Sequence, residues 1–421
     1  MSKKQKVAIT GIGLINPIAN NTIETWNLLL KGKSGLSFLE KDELKDYPCK
    51  VFGLVKNEKE ILNKVFSFNN QRKTDRFIHL AMIAGKEALL DSGLSKELPV
   101  NRERFGTSIG VGFGGIQSIE TGKDCLIKKG LKRVSPFLIP QSIINQAAAH
   151  LSMEHNLQGP TCSIVNACSS SGDSVGNAFR MIRDGYADYM LTGGTESSIT
   201  PLSIAAFGNM RAITHWKKKP EKACRPFDKD RSGFVMSEGA GILLLERMDL
   251  AKKRGANIYA EIVGYGSTSD AYHITAMHPE GRGAIKAIQV ALKDAKINKN
   301  EIGYINAHGT STKMNDIIET KVLKNVFLDH ISPKNPNRAL VSSTKSMTGH
   351  MLGAAGGVEI SLTALALKNE TLPPTINLDH PDDECNLDYI PHYARDKKCE
   401  YAISNSFGFG GGNSVIVLKK I

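Results

Sequence analysis

Three short segments of the 421-residue chain carry residue types that can do chemistry together. In Asn166-Ala-Cys168-Ser-Ser-Ser-Gly172, a cysteine stands where an extended stretch, Cys162 to Val165, gives way to an amphipathic pattern. A thiol at a helix start faces unpaired N–H groups and the positive end of the helix dipole, which favour thiolate. The small residues after it let a substrate come close. A lone cysteine is more often buried and inert, so Cys168 needs partners. Two segments offer them: Asn306-Ala-His308-Gly-Thr-Ser-Thr312, and Ser343-Thr-Lys345-Ser-Met-Thr-Gly-His350, which runs on into Gly353-Ala-Ala-Gly-Gly357. Each sets a histidine just beyond a candidate strand. Either histidine alone reads as a hydrogen-bonded structural residue. All three segments in one chain read as a nucleophile with groups able to polarise a carbonyl.

Positioning such groups requires a scaffold, and the chain alternates short β-branched runs with longer helical patterns, the sign of a layered α/β fold. Strands are expected at Val7–Thr10, Thr107–Val111, Tyr189–Thr192, Ile242–Glu246, Tyr259–Val263, Tyr304–Ala307, Leu340–Ser343, Tyr401–Ser404 and Ser414–Leu418. Helical spacing is clearest over Arg72–Ser92, Ser170–Asp184, Gly283–Ala295, Asp316–Phe327 and Gly353–Lys368, the last followed by Pro373 and Pro374. Two repeats hint at duplication. A strand running into Gly-x-Gly occurs at Val7–Gly13 and near Ile262–Gly266, and Gly-Phe-Gly-Gly occurs at Gly112–Gly115 and Gly408–Gly411. The expectation is two similar halves, 1–255 carrying the cysteine and 256–421 carrying both histidines, joined near Lys252–Ala256 and packed as one body.

Other motifs fail on context. Gly110-Val-Gly112-Phe-Gly-Gly115 fits a dinucleotide fingerprint, but the acid expected about twenty residues on to hold a ribose is absent. Gly106-Thr-Ser108-Ile-Gly110 matches a nucleophile elbow, yet alternating apolar residues run straight through it, making Ser108 a strand residue. His150 and His155, like His273 and His278, are five apart, and no metal-binding cluster or phosphate loop is present. The seven cysteines form no Cys-x-x-Cys and read as a reducing compartment. The basic start, Met1 to Lys6, leads into a first strand rather than a signal peptide, and no apolar run is long enough for a membrane helix. A cytoplasmic protein is expected. Net charge is 54 − 42 = +12, which allows either a solvated basic surface or a patch for an acidic partner. Nucleic acid is disfavoured, because no basic stripe with interleaved aromatics exists.

With Cys168, His308, Lys345 and His350 in order, and Phe227-Asp228, Arg231-Ser-Gly-Phe-Val235 and Glu238-Gly-Ala-Gly241 between them, the chain closely resembles the elongating β-ketoacyl-acyl-carrier-protein synthases, type II, of the thiolase superfamily. The resemblance runs from Val7-Ala-Ile-Thr-Gly-Ile-Gly13 to Asn405-Ser-Phe-Gly-Phe-Gly-Gly411. It implies a thiolase-like duplicated five-layer αβαβα sandwich that condenses a Cys168-bound acyl group with malonyl-acyl carrier protein. It implies no metal or cofactor, the phosphopantetheine arriving on the carrier protein. By the same resemblance, backbone N–H groups of Cys168 and Phe409 form the oxyanion hole, His308 and His350 stabilise the enolate, and Lys345 supports them through a carboxylate such as Glu359. Gly408 and Phe409 gate the site with Asp270 and Thr275. Phe113 lines the acyl pocket, and Arg72, Lys73, Lys132, Arg133 and Arg211 match the carrier-docking patch. A homodimer is expected.

Three departures stand out. Cys168-Ser-Ser-Ser171 is common among polyketide ketosynthases, Gly412-Asn413 replaces the usual Thr-Asn, and Phe113 stands where long-chain enzymes commonly have Ile. The last suggests short or unusual acyl primers. The alternative is a specialised polyketide ketosynthase subunit, paired with a chain-length-factor-like partner.

Overall fold

The computed structural model describes residues 4–39, 47, 49–94 and 101–421; of the basic start, residues 1–3 lie outside them. Ten strands make the main sheet: β1 Val7–Ile15, β2 Phe105–Gly110, β3 Thr161–Ile164, β4 Tyr189–Glu196, β5 Gly239–Arg247, β6 Ala260–Ser269, β7 Ile302–Asn306, β8 Leu340–Ser342, β9 Tyr401–Phe407 and β10 Gly412–Lys419. Their order is β8-β7-β9-β10-β6-β1-β5-β4-β2-β3. Adding five to each of the first five labels turns one side of this order into the other. The pairing repeats as well, β2 parallel to β3 and β4 as β7 is to β8 and β9, and β5 antiparallel to β4 and β1 as β10 is to β9 and β6.

Five layers follow from which helices cover which faces. The helices of ten or more residues are α1 Arg76–Asp91, α2 Ile116–Lys129, α3 Gln146–His155, α4 Ser170–Arg183, α5 Arg282–Ala295, α6 Lys313–Phe327 and α7 Ala355–Asn369 among the described residues. Helices α1 and α3 cover the outer face of β1–β5, α5 and α6 cover the outer face of β6–β10, and α4 and α7 lie between the two halves. The inner strands are therefore buried on both faces, whereas the edge strand β3 is exposed to half-buried along its length. On β5, Leu243 and Leu245 point to the central layer while Ile242 and Leu244 point outward. On β10, Ile416 and Leu418 do the first and Val415 and Val417 the second. This explains why these strands read as unbroken apolar runs rather than as alternation. Helix α7 is buried all round from Ala355 to Leu367, as a central-layer helix must be.

The first repeated motif marks equivalent places. A Cβ on Gly11 or Gly13 of β1 would strike the Ala88 or Ala84 carbonyl of α1, and one on Gly264 or Gly266 of β6 would strike the Ala291 or Ala287 carbonyl of α5. The second does not, which corrects the expectation: Gly112–Gly115 follows β2 whereas Gly408–Gly411 follows β9, and the counterparts of these strands are β7 and β4. Helix α1 also starts later than its apolar pattern predicts. Asp75 is extended (φ −88°, ψ 162°), and its carboxylate accepts from the N–H and hydroxyl of Ser118. Ser108 lies within β2, buried and hydrogen-bonded to Ser174. Among the described residues no helix is long and apolar enough to cross a membrane.

Candidate active site

The chain turns sharply at Cys168. Ala167 is in the left-handed region (φ +46°), an uncommon and strained conformation for alanine. A one-turn Ala167–Ser169 segment follows and then α4. Three hydrogen bonds to side chains brace this elbow. Ser170 Oγ accepts from Asn166 N–H at 2.8 Å, the Asn166 amide donates to Asp173 at 2.5 Å, and Tyr265 OH donates to the same carboxylate at 2.6 Å.

His308 follows β7, held by the carboxylate of Glu319, which accepts from the N–H groups of His308 and Gly309 at 2.8 and 2.7 Å. His350 is pinned by its own backbone, its N–H donating to Val235 and its carbonyl accepting from Ser237. These supports bring His350 Nε2 to 3.1 Å from Cys168 Sγ and set the two imidazoles edge to face, centroids 5.4 Å apart. Lys345 and Glu359 form a buried ion pair, and Lys345 Nζ lies 3.5 Å from His308 Nδ1. An ammonium only donates, so Nδ1 is an acceptor and the His308 proton sits on Nε2. Among the described residues His350 Nδ1 is buried with no hydrogen-bond partner, so no acceptor there fixes its proton.

Burial governs the protonation states. It pushes the Cys168 thiol up to about 11, with the Lys345 charge and a hydrogen bond from the Phe409 N–H pulling back and Glu196 and Glu359 pushing further. The expectation of a resting thiolate is thereby corrected: desolvation outweighs the helix start. Both imidazoles are held well below the ordinary histidine value, by burial first and then by Lys345, so both are neutral near pH 7. Glu359 rises to about 7 through burial despite its lysine. The resting pair is thus a neutral thiol beside a neutral base.

A cavity of about 1430 Å³ reaches this pair, lined among others by Cys168, His308, His350, Phe113, Thr275 and Phe409. Gly408 lies against the nucleophile; a Cβ there would come 3.2 Å from Cys168 N. Asp270 fastens the following loop, its N–H donating to the Gly411 carbonyl and its carboxylate accepting from Asn413 and from His278 N–H. Phe113 is 43 % exposed and edge-on to Phe207 at 6.0 Å. It therefore bounds an open cavity rather than filling a packed core. Arg72, Lys73, Lys132, Arg133 and Arg211 are all exposed. Arg211 lines the large cavity. The Lys73 ammonium lies 5.4 Å over the Phe137 ring, and Lys132 and Arg133 sit on the turn after α2.

Glu196 and Glu319, buried carboxylates that hold backbone N–H groups around the site, were not singled out from the sequence. The available signal was an acid inside an otherwise apolar pattern, as at Glu319 beside Ile318, Val322 and Leu323.

The family profile described as "Beta-ketoacyl synthase, N-terminal domain" matches residues 4–251, and "Beta-ketoacyl synthase, C-terminal domain" matches residues 259–379. The chain belongs to the β-ketoacyl synthase family. It is 44 % identical to 3-oxoacyl-[acyl-carrier-protein] synthase 2 of Vibrio harveyi, over 99 % of both chains. It is also 44 % identical to the enzyme of that name from Staphylococcus aureus strain COL, over 100 % of this chain and 99 % of the other. Among solved structures, a β-ketoacyl synthase from Burkholderia phymatum matches with TM-score 0.90 at 30 % identity, covering 99 % of this chain and 100 % of that one. A chain of the AntDE:AntF complex, described as a type II PKS acyl-carrier protein in complex with its ketosynthase bound to the hexaketide, matches with TM-score 0.88 at 32 % identity and the same coverage. As a ketosynthase the chain is an acyltransferase-class enzyme.

Proposed function

We propose that this ketosynthase elongates acyl chains by decarboxylative Claisen condensation with malonyl-acyl carrier protein, in fatty acid synthesis. The carrying observation is the 3.1 Å contact between Cys168 Sγ and His350 Nε2, with a second imidazole beside it in one large cavity. In the first stage Cys168 Sγ attacks the acyl thioester of the phosphopantetheine arm, and His350 passes the thiol proton to the departing pantetheine sulfur. The Cys168–acyl bond forms as the pantetheine–acyl bond breaks. N–H groups of Cys168 and Phe409 receive the tetrahedral oxyanion, a contribution that elsewhere is worth about 10² to 10³ in rate per donor.

Acylation removes the sulfur's proton, and His350 Nε2 is then free to carry one as a donor. In the second stage malonyl thioester loses carbon dioxide, and the enolate oxygen is held by Nε2–H of His308 and His350. Its carbon attacks the acyl carbonyl, the new C–C bond expels the Cys168 thiolate, and the thiolate takes up one proton from solvent, which balances the negative charge of the lost carboxylate. Lys345 with Glu359 fixes the His308 tautomer, acting through the ring. Phe409, with Gly408, Asp270 and Thr275, forms the gate that covers the acyl-enzyme and opens for malonyl. The Thr310 and Thr312 hydroxyls, 2.9 Å apart on the cavity wall, suit an amide-bearing arm.

The exposed cations Arg72, Lys73, Lys132, Arg133 and Arg211 serve to dock the acidic carrier protein. A homodimer fits the edge position of β3, whose unpaired side is a template for another chain, and the exposed apolar residues Val165, Ile139 and Ile143 nearby in sequence. The protein acts in the cytoplasm, without metal or cofactor. A second reading, a polyketide subunit paired with a chain-length factor, is favoured by the likeness to the ishigamide ketosynthase/chain length factor, TM-score 0.90 at 29 % identity. Intact-mass analysis tests the mechanism: Cys168→Ala makes no condensation product, while His350→Ala still takes some acyl group onto Cys168. Normal elongation by Cys168→Ala refutes it.

A further inference from the structure

Glu196 ends β4 fully buried, and among the described residues it has no ion-pair partner. A buried carboxylate without a counter-charge is costly unless hydrogen bonds replace its water. Here the replacement is backbone. Glu196 Oε2 accepts from Gly112 N–H at 2.8 Å and Gly353 N–H at 3.3 Å, and both its oxygens lie 3.3 Å from Phe113 N.

These N–H groups belong to two segments far apart in the chain that approach each other beside Glu196. Gly112 and Phe113 open the loop that brings the Phe113 ring to the cavity wall, and Gly353 lies in the turn joining His350 to α7. Both glycines are needed for the approach. A Cβ on Gly353 would collide with Gly112 N, and one on Gly112 would come 2.5 Å from Glu196 Oε2. The Phe113 ring packs edge-on against Phe207 and stands 43 % exposed, which leaves its backbone a large share in placing it.

We propose that Glu196 is a specificity-determining positioning residue, a clamp that ties the Phe113 wall to the turn after His350 and thereby fixes how long an acyl chain the cavity admits. This rests on the reading of the cavity as the acyl site. In Glu196→Gln one acceptor oxygen becomes an NH₂ donor facing N–H donors, the clamp loosens, and the ring can swing aside.

The test is single-turnover acyl transfer to Cys168 from butyryl- and palmitoyl-carrier proteins, read by intact mass. Glu196→Gln should raise the palmitoyl-to-butyryl ratio by about tenfold, the size of effect a displaced wall has in an apolar pocket. In a Phe113→Ala background the same substitution should change the ratio no further, because the clamp acts through that ring. Should Glu196→Gln fail to fold, Gly112→Ala carries the same test, since the carboxylate it displaces is the end of a flexible side chain. An unchanged ratio in a variant that melts like wild type, an equal fall at both lengths, or additive effects of the two substitutions would overturn the clamp. A wild-type protein that accepts neither acyl group would instead remove the reading beneath it.

Discussion

Burial of Cys168 makes a quantitative prediction about its reactivity. Burial pushes the thiol from 9.0 up to about 11, so its thiolate fraction at neutral pH is about 100-fold smaller than that of an ordinary thiol. Iodoacetamide, which needs thiolate and brings no oxyanion to stabilise, should therefore alkylate Cys168 slowly. Its rate should climb about tenfold per pH unit from pH 7 to 9 without a plateau. Lys345→Met removes the strongest influence that lowers the thiol, so the rate at any pH in that range should fall further. The assay is mass spectrometry of the Cys168 peptide, because half-exposed Cys125 and Cys162 also react. Fast alkylation that levels off below pH 8 would show a thiolate–imidazolium pair and refute the dominance of desolvation. Physically, a neutral resting thiol reserves reactivity for a bound thioester, when His350 takes the proton as the bond to carbon forms.

Further expectations concern selectivity, docking and stability. Phe113→Ile should add long-chain turnover, and equal use of short and long primers by wild type would remove Phe113 as a determinant. Lys132→Glu with Arg133→Glu should raise the carrier protein's KM and weaken its salt dependence, the Debye length being about 8 to 10 Å near physiological ionic strength; an unchanged KM excludes this patch. Lys345→Met should cost about 3 to 5 kcal/mol in urea unfolding, the usual result of leaving a buried ion-pair partner alone, and a loss under about 1 kcal/mol would show that Glu359 simply protonates. His79 is held at about 4, chiefly by burial, below its ordinary 6.5. Its contribution to stability is complete above pH 6.5 and is lost as pH falls toward 4. His79→Gln should flatten the fall of Tm over that window, and an unchanged slope would locate the acid sensitivity elsewhere.

Much of this was legible in the chain. Nine sheet strands and the helices at Ser170, Gly283 and Asp316 announced themselves because apolar runs and 3.6-residue spacing survive burial on both faces. Only β3 was read as merely extended. Cys168, His308 and His350 were legible from residue types beyond strand ends. The protonation of Cys168 was not, because a helix start is visible in sequence whereas the depth of burial is set by distant Phe207, Phe234 and Leu352 packed around it. The repeated Gly-Phe-Gly-Gly misled for a similar reason, since equivalence between halves is decided by strand order. Glu196 stayed hidden because its partners are main-chain N–H groups 84 and 157 residues away.

The most direct measurement is to incubate the protein with acyl-carrier proteins of graded length and read the covalent mass on the Cys168 peptide. A mass increase matching each accepted acyl group, on that cysteine alone, with release as the two-carbon-longer 3-oxoacyl product once malonyl-carrier protein is added, is the predicted result. No adduct at any length, or an adduct on a different residue, contradicts it.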